Sequence, residues 1–135
     1  MTTQLLLVLT TIPHMFVATN TPPAYSVIVL FSAGLSTIWH SVGETRWRWL
    51  AVADHLAAGV WFAADCWYFW GRSQAWWVFW LNGLIAYLNL MFGTLDRYGL
   101  VPYWVGHSAW HVLSVIKCLH VATLLRAVHP LASWS

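Results

Sequence analysis

Five side chains that can bind a metal ion or take part in hydrolysis lie within strongly apolar stretches of the sequence. They are Ser36, His40, Asp54, His107 and His111. Ionisable residues are costly inside a membrane-spanning segment, so those that occur there are functional candidates. His107 and His111 are four residues apart, and on a helix this spacing places both imidazoles on one face, as in other His-x-x-x-His metal sites. The spacing predicts a pair of metal ligands.

A third ligand and two catalytic groups can be placed beside this pair. His40, on another apolar segment, can supply a third nitrogen, and three protein ligands plus one water are typical of a catalytic zinc. The metal lowers the pKa of that water to about 7. Asp54 can accept the proton of the water or orient it, and Ser36, one turn before His40, can bond a ligand or polarise a substrate carbonyl. The ordinary alternatives are interfacial histidines and, for Ser36, a small residue at a helix contact.

The elements that hold these residues are predicted to be membrane helices. The chain has 135 residues, of which 60% are hydrophobic and 7% charged, whereas a soluble domain carries about 25% charged residues. Lipid must therefore cover most of the surface, and a net charge of +2 gives no reason to expect nucleic acid as a partner. The apolar segments are 3–19, 23–42, 48–70, 75–93 and 101–126.

These segments predict an all-α fold. All but the first reach the roughly 20 residues needed to cross a bilayer, and the first is short and contains Pro13. Backbone groups in lipid must be paired within the segment, and the segments are too uniformly apolar for the strands of a barrel. We therefore expect a multi-pass bundle of about five helices that forms one domain over residues 1–135, in a membrane that the sequence does not identify.

Alternation of the spans places the candidate ligands at one depth. The second segment ends, and the third and fifth begin, on the same side of the membrane, so His40, Asp54 and the His107/His111 pair share a layer. His55 points about 100° away from Asp54 and has no assigned role. Two further histidines, His14 and His129, are near segment ends and are expected to meet water or lipid headgroups.

Two charged residues lie deeper in the predicted bundle. Asp65 follows Asp54 by eleven residues, which is about three turns, and Lys117 follows the first histidine of the fifth segment by ten. Both should lie about 15 Å from the histidine layer, where an unpaired charge is costly. We predict an ion pair between Asp65 and Lys117, with Asn82 and Asn89 lining the same interior. A proton or ion path is the functional alternative.

The order Ser36-x-x-x-His40, Asp54, His107-x-x-x-His111 resembles the CREST superfamily of membrane hydrolases. This superfamily includes alkaline ceramidases, adiponectin and progestin receptors, GPI-remodelling proteins and the myomaker-like group, which the stretch from about Leu5 to Tyr68 resembles most. The resemblance implies a zinc ion held by the three histidines, with Asp54 and Ser36 beside the metal-bound water. It also implies hydrolysis of an amide or ester in a membrane lipid, with ceramide-type amides as the best-known substrates.

One departure from the family and two other function classes stay open. The family usually has seven spans, so a five-span chain is expected to enclose a lipid pocket less completely and to form a homo-oligomer that completes the walls. A haem-binding electron carrier would use His40 and His111 as axial ligands, but it gives Asp54 no role. A receptor or fusion-type protein would hold a structural zinc instead of a catalytic one.

Overall fold

The computed structural model describes residues 3–42, 47–72 and 75–128, and these residues form five α-helices without a strand. The helices are α1 (Thr3–Ala18), α2 (Pro23–Val42), α3 (Arg48–Phe69), α4 (Ala75–Arg97) and α5 (Tyr103–Val128). The all-α prediction is confirmed. The helix limits agree with the predicted segments within two residues, except that α4 continues four residues past the predicted end at residue 93.

The end of α4 is fixed by a glycine. Gly99 has a φ of 66°, a left-handed conformation that costs glycine little because it has no Cβ. The Gly99 N–H donates to the Asp96 carbonyl at 2.9 Å, and the Leu100 N–H donates to the Leu95 carbonyl at 2.9 Å. These two bonds form a Schellman cap, which satisfies the last carbonyls of α4 and turns the chain toward α5.

The five helices form a closed ring. Each helix packs against the next one in sequence, and α1 packs against α5 to close the circle. The contact between α3 and α4 is the sparsest of the five. Five helices therefore surround a common interior, and α1 takes part in its wall although it is the shortest helix.

The surface of the bundle is apolar and much of its interior is polar. Phe31, Leu56, Trp80 and Leu90 are each at least 64% exposed, whereas His40 and Asp65 are fully buried. This distribution is the reverse of that in a water-soluble bundle and is consistent with a membrane protein. Three helices are long and apolar enough to cross a membrane, over Pro23–Val42, Trp76–Arg97 and Tyr103–Ala127.

Candidate metal centre

Three buried imidazoles converge at one end of the bundle. His40 lies in the last turn of α2, and His107 and His111 lie in the first turns of α5. Their exposed fractions are 0%, 4% and 5%. One ring nitrogen from each lies within 4.8 Å of the others, and the Nε2 atoms of His40 and His107 are 3.0 Å apart. The structure thus brings together all three predicted ligands, close enough to bind one metal ion.

The ring of His111 is oriented by a threonine of α1. Thr10 Oγ1 lies 2.7 Å from His111 Nδ1 and 2.7 Å from the carbonyl oxygen of Leu7. A carbonyl can only accept, so the single hydroxyl proton of Thr10 is donated to Leu7. His111 Nδ1 must then carry a proton and donate it to Thr10. His111 Nε2 is left with its lone pair available to a metal, as in metal sites where the second ring nitrogen bonds an oxygen.

His107 has a similar oxygen partner. The phenol of Tyr103, one turn earlier on α5, lies 3.0 Å from His107 Nδ1, and the two rings stack with centroids 4.9 Å apart. When Nδ1 donates to this phenol oxygen, Nε2 carries the lone pair and faces His40 Nε2. His107 and His111 therefore each have an outer hydrogen bond of the kind that fixes a ligand's tautomer and orientation.

A glycine, one residue before His107, allows α5 to approach α4. A Cβ on Gly106 would overlap the Cβ and Cγ atoms of Phe92. These atoms are close to the α4 backbone, so they cannot move aside as the end of a flexible side chain could. The glycine therefore sets the position of α5 at His107.

Asp54 and Ser36, the two predicted catalytic residues, lie close to the histidines. Asp54 is 2% exposed, and it is close enough to Ser36 and His40 to interact with both. Ser36 Oγ lies 3.4 Å from His111 Nε2. Asp54 Oδ2 is buried and has no hydrogen-bond partner among the described residues. A buried carboxylate oxygen without a partner is costly, and a cation with coordinated water next to it would remove that cost. The donor set and this oxygen fit a metal ion.

The burial of His14 contradicts the expectation from the sequence. It was expected to meet water or headgroups, but it is only 4% exposed. The reason is that α1 packs against both α2 and α5, and the His14 ring lies against Trp61 of α3 and His111 of α5. His129 lies outside the described residues. His55 is exposed and bonds the Ala51 carbonyl at 2.8 Å, so it is not part of the histidine cluster.

A cavity of about 320 Å³ connects the histidine layer with the deeper charges. Ser36, Asp54 and His111 line it at the candidate metal centre, and Asn82 and Lys117 also line it. The wall further includes residues from all helices of the ring, among them His14, Gly59, Phe62, Ala86 and Asn89. The cavity therefore gives a small molecule, or part of a larger one, access to the candidate metal centre at His111.

The predicted Asp65–Lys117 ion pair is present in the interior. Lys117 Nζ lies 2.7 Å from Asp65 Oδ2 and 3.2 Å from Asn82 Oδ1, and Asn82 Nδ2 donates to the same Asp65 oxygen at 2.9 Å. Tyr25, which the sequence did not suggest, donates its hydroxyl to the other oxygen, Asp65 Oδ1. Trp61 donates to Tyr25 OH at 2.7 Å and also presents its ring to Lys117 Nζ at 3.9 Å.

This network satisfies both oxygens of the buried carboxylate and surrounds the ammonium group with acceptors and a π face. The arrangement favours a structural pair over a proton or ion path. Asn89 lines the cavity without a hydrogen bond to any described residue.

Of the two hydrogen-bond partners of the histidines, only Tyr103 carried a usable sequence signal. Tyr103 precedes His107 by four residues, which is helical spacing for a shared face. Comparison of the chain with protein-family models, with curated proteins and with solved structures finds no match. The case for a candidate metal centre therefore rests on the geometry of this chain.

Proposed function

We propose that this chain is a multi-pass membrane hydrolase that uses zinc, held by His40, His107 and His111, to cleave an amide or ester bond of a lipid. The observation that carries the proposal is the convergence of three buried imidazoles beside the unpaired carboxylate oxygen of Asp54. Imidazole nitrogens suit zinc, and three histidines leave one position open for chemistry. In this proposal all five helices lie in the membrane, with α1 held by its contacts to α2 and α5.

The chain's own residues can perform the proton transfers of hydrolysis. Zinc in such a site polarises a carbonyl and lowers the pKa of water. Asp54 accepts a proton from the attacking water as the new C–O bond forms, and returns it to the leaving nitrogen or oxygen as the scissile bond breaks. In this proposal Ser36 donates its hydroxyl to the carbonyl oxygen. Burial of both residues keeps these interactions strong.

The geometry disfavours the two other function classes. A haem between His40 and His111 would need the space of a macrocycle, but the two ring centroids are 5.3 Å apart and His107 packs against both, at 4.8 and 4.7 Å. A structural zinc site is usually closed by four protein ligands, whereas His111 lines a cavity.

The test is hydrolysis of a fluorogenic lipid amide and the matching ester by the purified protein in nanodiscs. Asp54→Asn should keep its zinc and lose about 10²- to 10⁴-fold in rate, because the carboxamide cannot take up the proton. Removal of the metal should abolish hydrolysis, and zinc should restore it. His120→Ala, on α5 but outside the cluster, is the control and should hydrolyse normally. Equal rates for Asp54→Asn and the unmodified protein would contradict the proposed role.

A further inference from the structure

His14 presents an available hydrogen-bond acceptor to the cavity. Its Nδ1 lies 3.1 Å from the carbonyl oxygen of Thr11, which can only accept, so Nδ1 carries the proton of the neutral ring. Nε2 therefore has a lone pair. This nitrogen makes no hydrogen bond to any described residue. It is also not fully buried, so a bound molecule can reach it.

The ring of His14 is held in place next to the proposed reaction centre. It packs edge-on against Trp61, with centroids 5.6 Å apart, and against His111, with centroids 6.4 Å apart. A group that binds His14 Nε2 and a carbonyl that binds at His111 can therefore belong to one molecule, separated by a few covalent bonds. The ring is not one of the three metal-binding imidazoles.

Away from the candidate metal centre, several other polar groups of the cavity wall do not select for a hydrogen-bond donor. Asn82 and Lys117 bond each other and Asp65, and the Thr11 hydroxyl donates to the Val8 carbonyl. Asn89 carries both a donor and an acceptor, so it accepts either kind of ligand group. His14 Nε2 is a pure acceptor, and a hydroxyl group is the natural partner for it.

The cavity opens sideways between α3 and α4. Gly59 and Phe62 of α3 and Ala86 of α4 line the cavity and are also exposed on the outside of the bundle. A Cβ added at Gly59 would meet open space, and the helix contact here is the sparsest in the ring. Because the surrounding surface is apolar, this mouth faces hydrocarbon. The occupant is therefore an amphiphile with its chain in the bilayer and its polar end inside.

We propose that His14 Nε2 accepts a hydrogen bond from a hydroxyl group at the polar end of a lipid, which enters between α3 and α4 past Gly59. His14 then acts as a specificity-determining residue that favours hydroxyl-bearing lipids. The identity of the scissile bond rests on the proposed function, but binding at His14 does not require hydrolysis.

The test measures binding of two fluorescent lipid amides to the Asp54→Asn protein in nanodiscs, so that turnover does not interfere. One lipid is a long-chain N-acylethanolamine, and the other has a methyl group in place of its hydroxyl. With His14 present, the hydroxyl form should bind about tenfold more tightly, the usual effect of one hydrogen bond to a buried acceptor. His14→Phe, which keeps the ring contacts, should bring the ratio to about one, and His14→Gln should restore part of it. An unchanged ratio in His14→Phe, or no binding of either lipid, would overturn the proposal.

The entry route is tested with the same pair of lipids. Gly59→Leu fills the mouth and should weaken binding of both lipids about tenfold or more, without changing their ratio. Gly83→Leu is the matched control, because Gly83 is also a helical glycine with open space around it but does not line the cavity. Normal binding to Gly59→Leu would exclude this route. Hydroxyl-selective binding without hydrolysis by the unmodified protein would refute the proposed function and leave the His14 subsite standing.

Discussion

Thr10→Val tests whether the Thr10 hydroxyl, which is not itself a proposed ligand, orients the His111 ring for metal binding. Valine keeps the shape of threonine but removes the oxygen that accepts from His111 Nδ1 at 2.7 Å. The buried Nδ1–H then has no partner, which costs about 1–3 kcal/mol. Loss of such an outer partner usually lowers metal affinity about 10- to 100-fold, which corresponds to about 1.4–2.8 kcal/mol. The two estimates agree, so we expect zinc affinity to fall within that range.

The assay is competition for zinc between the purified protein and a chromophoric chelator at fixed pH. Thr10→Ser keeps the acceptor oxygen and should bind zinc like the unmodified protein. Thr11→Val is the matched control, because it removes a 2.7 Å hydroxyl bond to Thr37 between α1 and α2 and does not change the hydrogen bond between Thr10 and His111. If Thr10→Val binds zinc as tightly as Thr11→Val does, the argument that Thr10 fixes the His111 tautomer is refuted.

Two further predictions concern stability, measured by unfolding in mixed micelles. Lys117→Met leaves the Asp65 carboxylate buried without its cation and should cost about 3–5 kcal/mol. The double variant with Asp65→Asn should lose clearly less than the sum of the single losses, and additive losses would contradict the pairing. Gly106→Ala forces overlap with Phe92 and should cost about 1–3 kcal/mol and lower zinc occupancy. Gly93→Ala, with open space around it, is the control, and equal losses in both alanine variants would refute the packing argument.

The helices could be predicted because their ends have local causes. Pro23 begins α2 and Gly71, with a φ of 75°, follows α3, and both residue types are readable in the sequence. The end of α4 was placed too early, at Gly93. A glycine inside a helix is tolerated, and the signal that ends this helix is Gly99, which lies in the left-handed conformation.

The clustering of the three histidines could be predicted because two constraints act together. Helical spacing puts His107 and His111 on one face, and the alternation of the predicted spans puts His40 at the same depth. Neither constraint fixes the rotation of α2 about its axis. That rotation is set by packing in the ring, and it is what brings His40 Nε2 to 3.0 Å from His107 Nε2.

The roles of α1 could not be predicted. Thr10 and His14 meet His111 across about a hundred residues of sequence, and no local pattern signals a contact of that range. The resemblance to seven-span proteins also suggested an incompletely enclosed pocket. In the structure the packing of α1 against α5 closes the ring with five helices, and the remaining opening lies between α3 and α4.

The most direct test of the central claim is X-ray absorption at the zinc edge of the purified, zinc-loaded protein. Three imidazole nitrogens at about 2.0–2.1 Å and one oxygen ligand should surround a single zinc ion. His107→Ala should lose one imidazole from this shell, and His120→Ala should leave it unchanged. A protein that takes up no zinc, or a shell that keeps its three imidazoles in His107→Ala, would contradict the assignment.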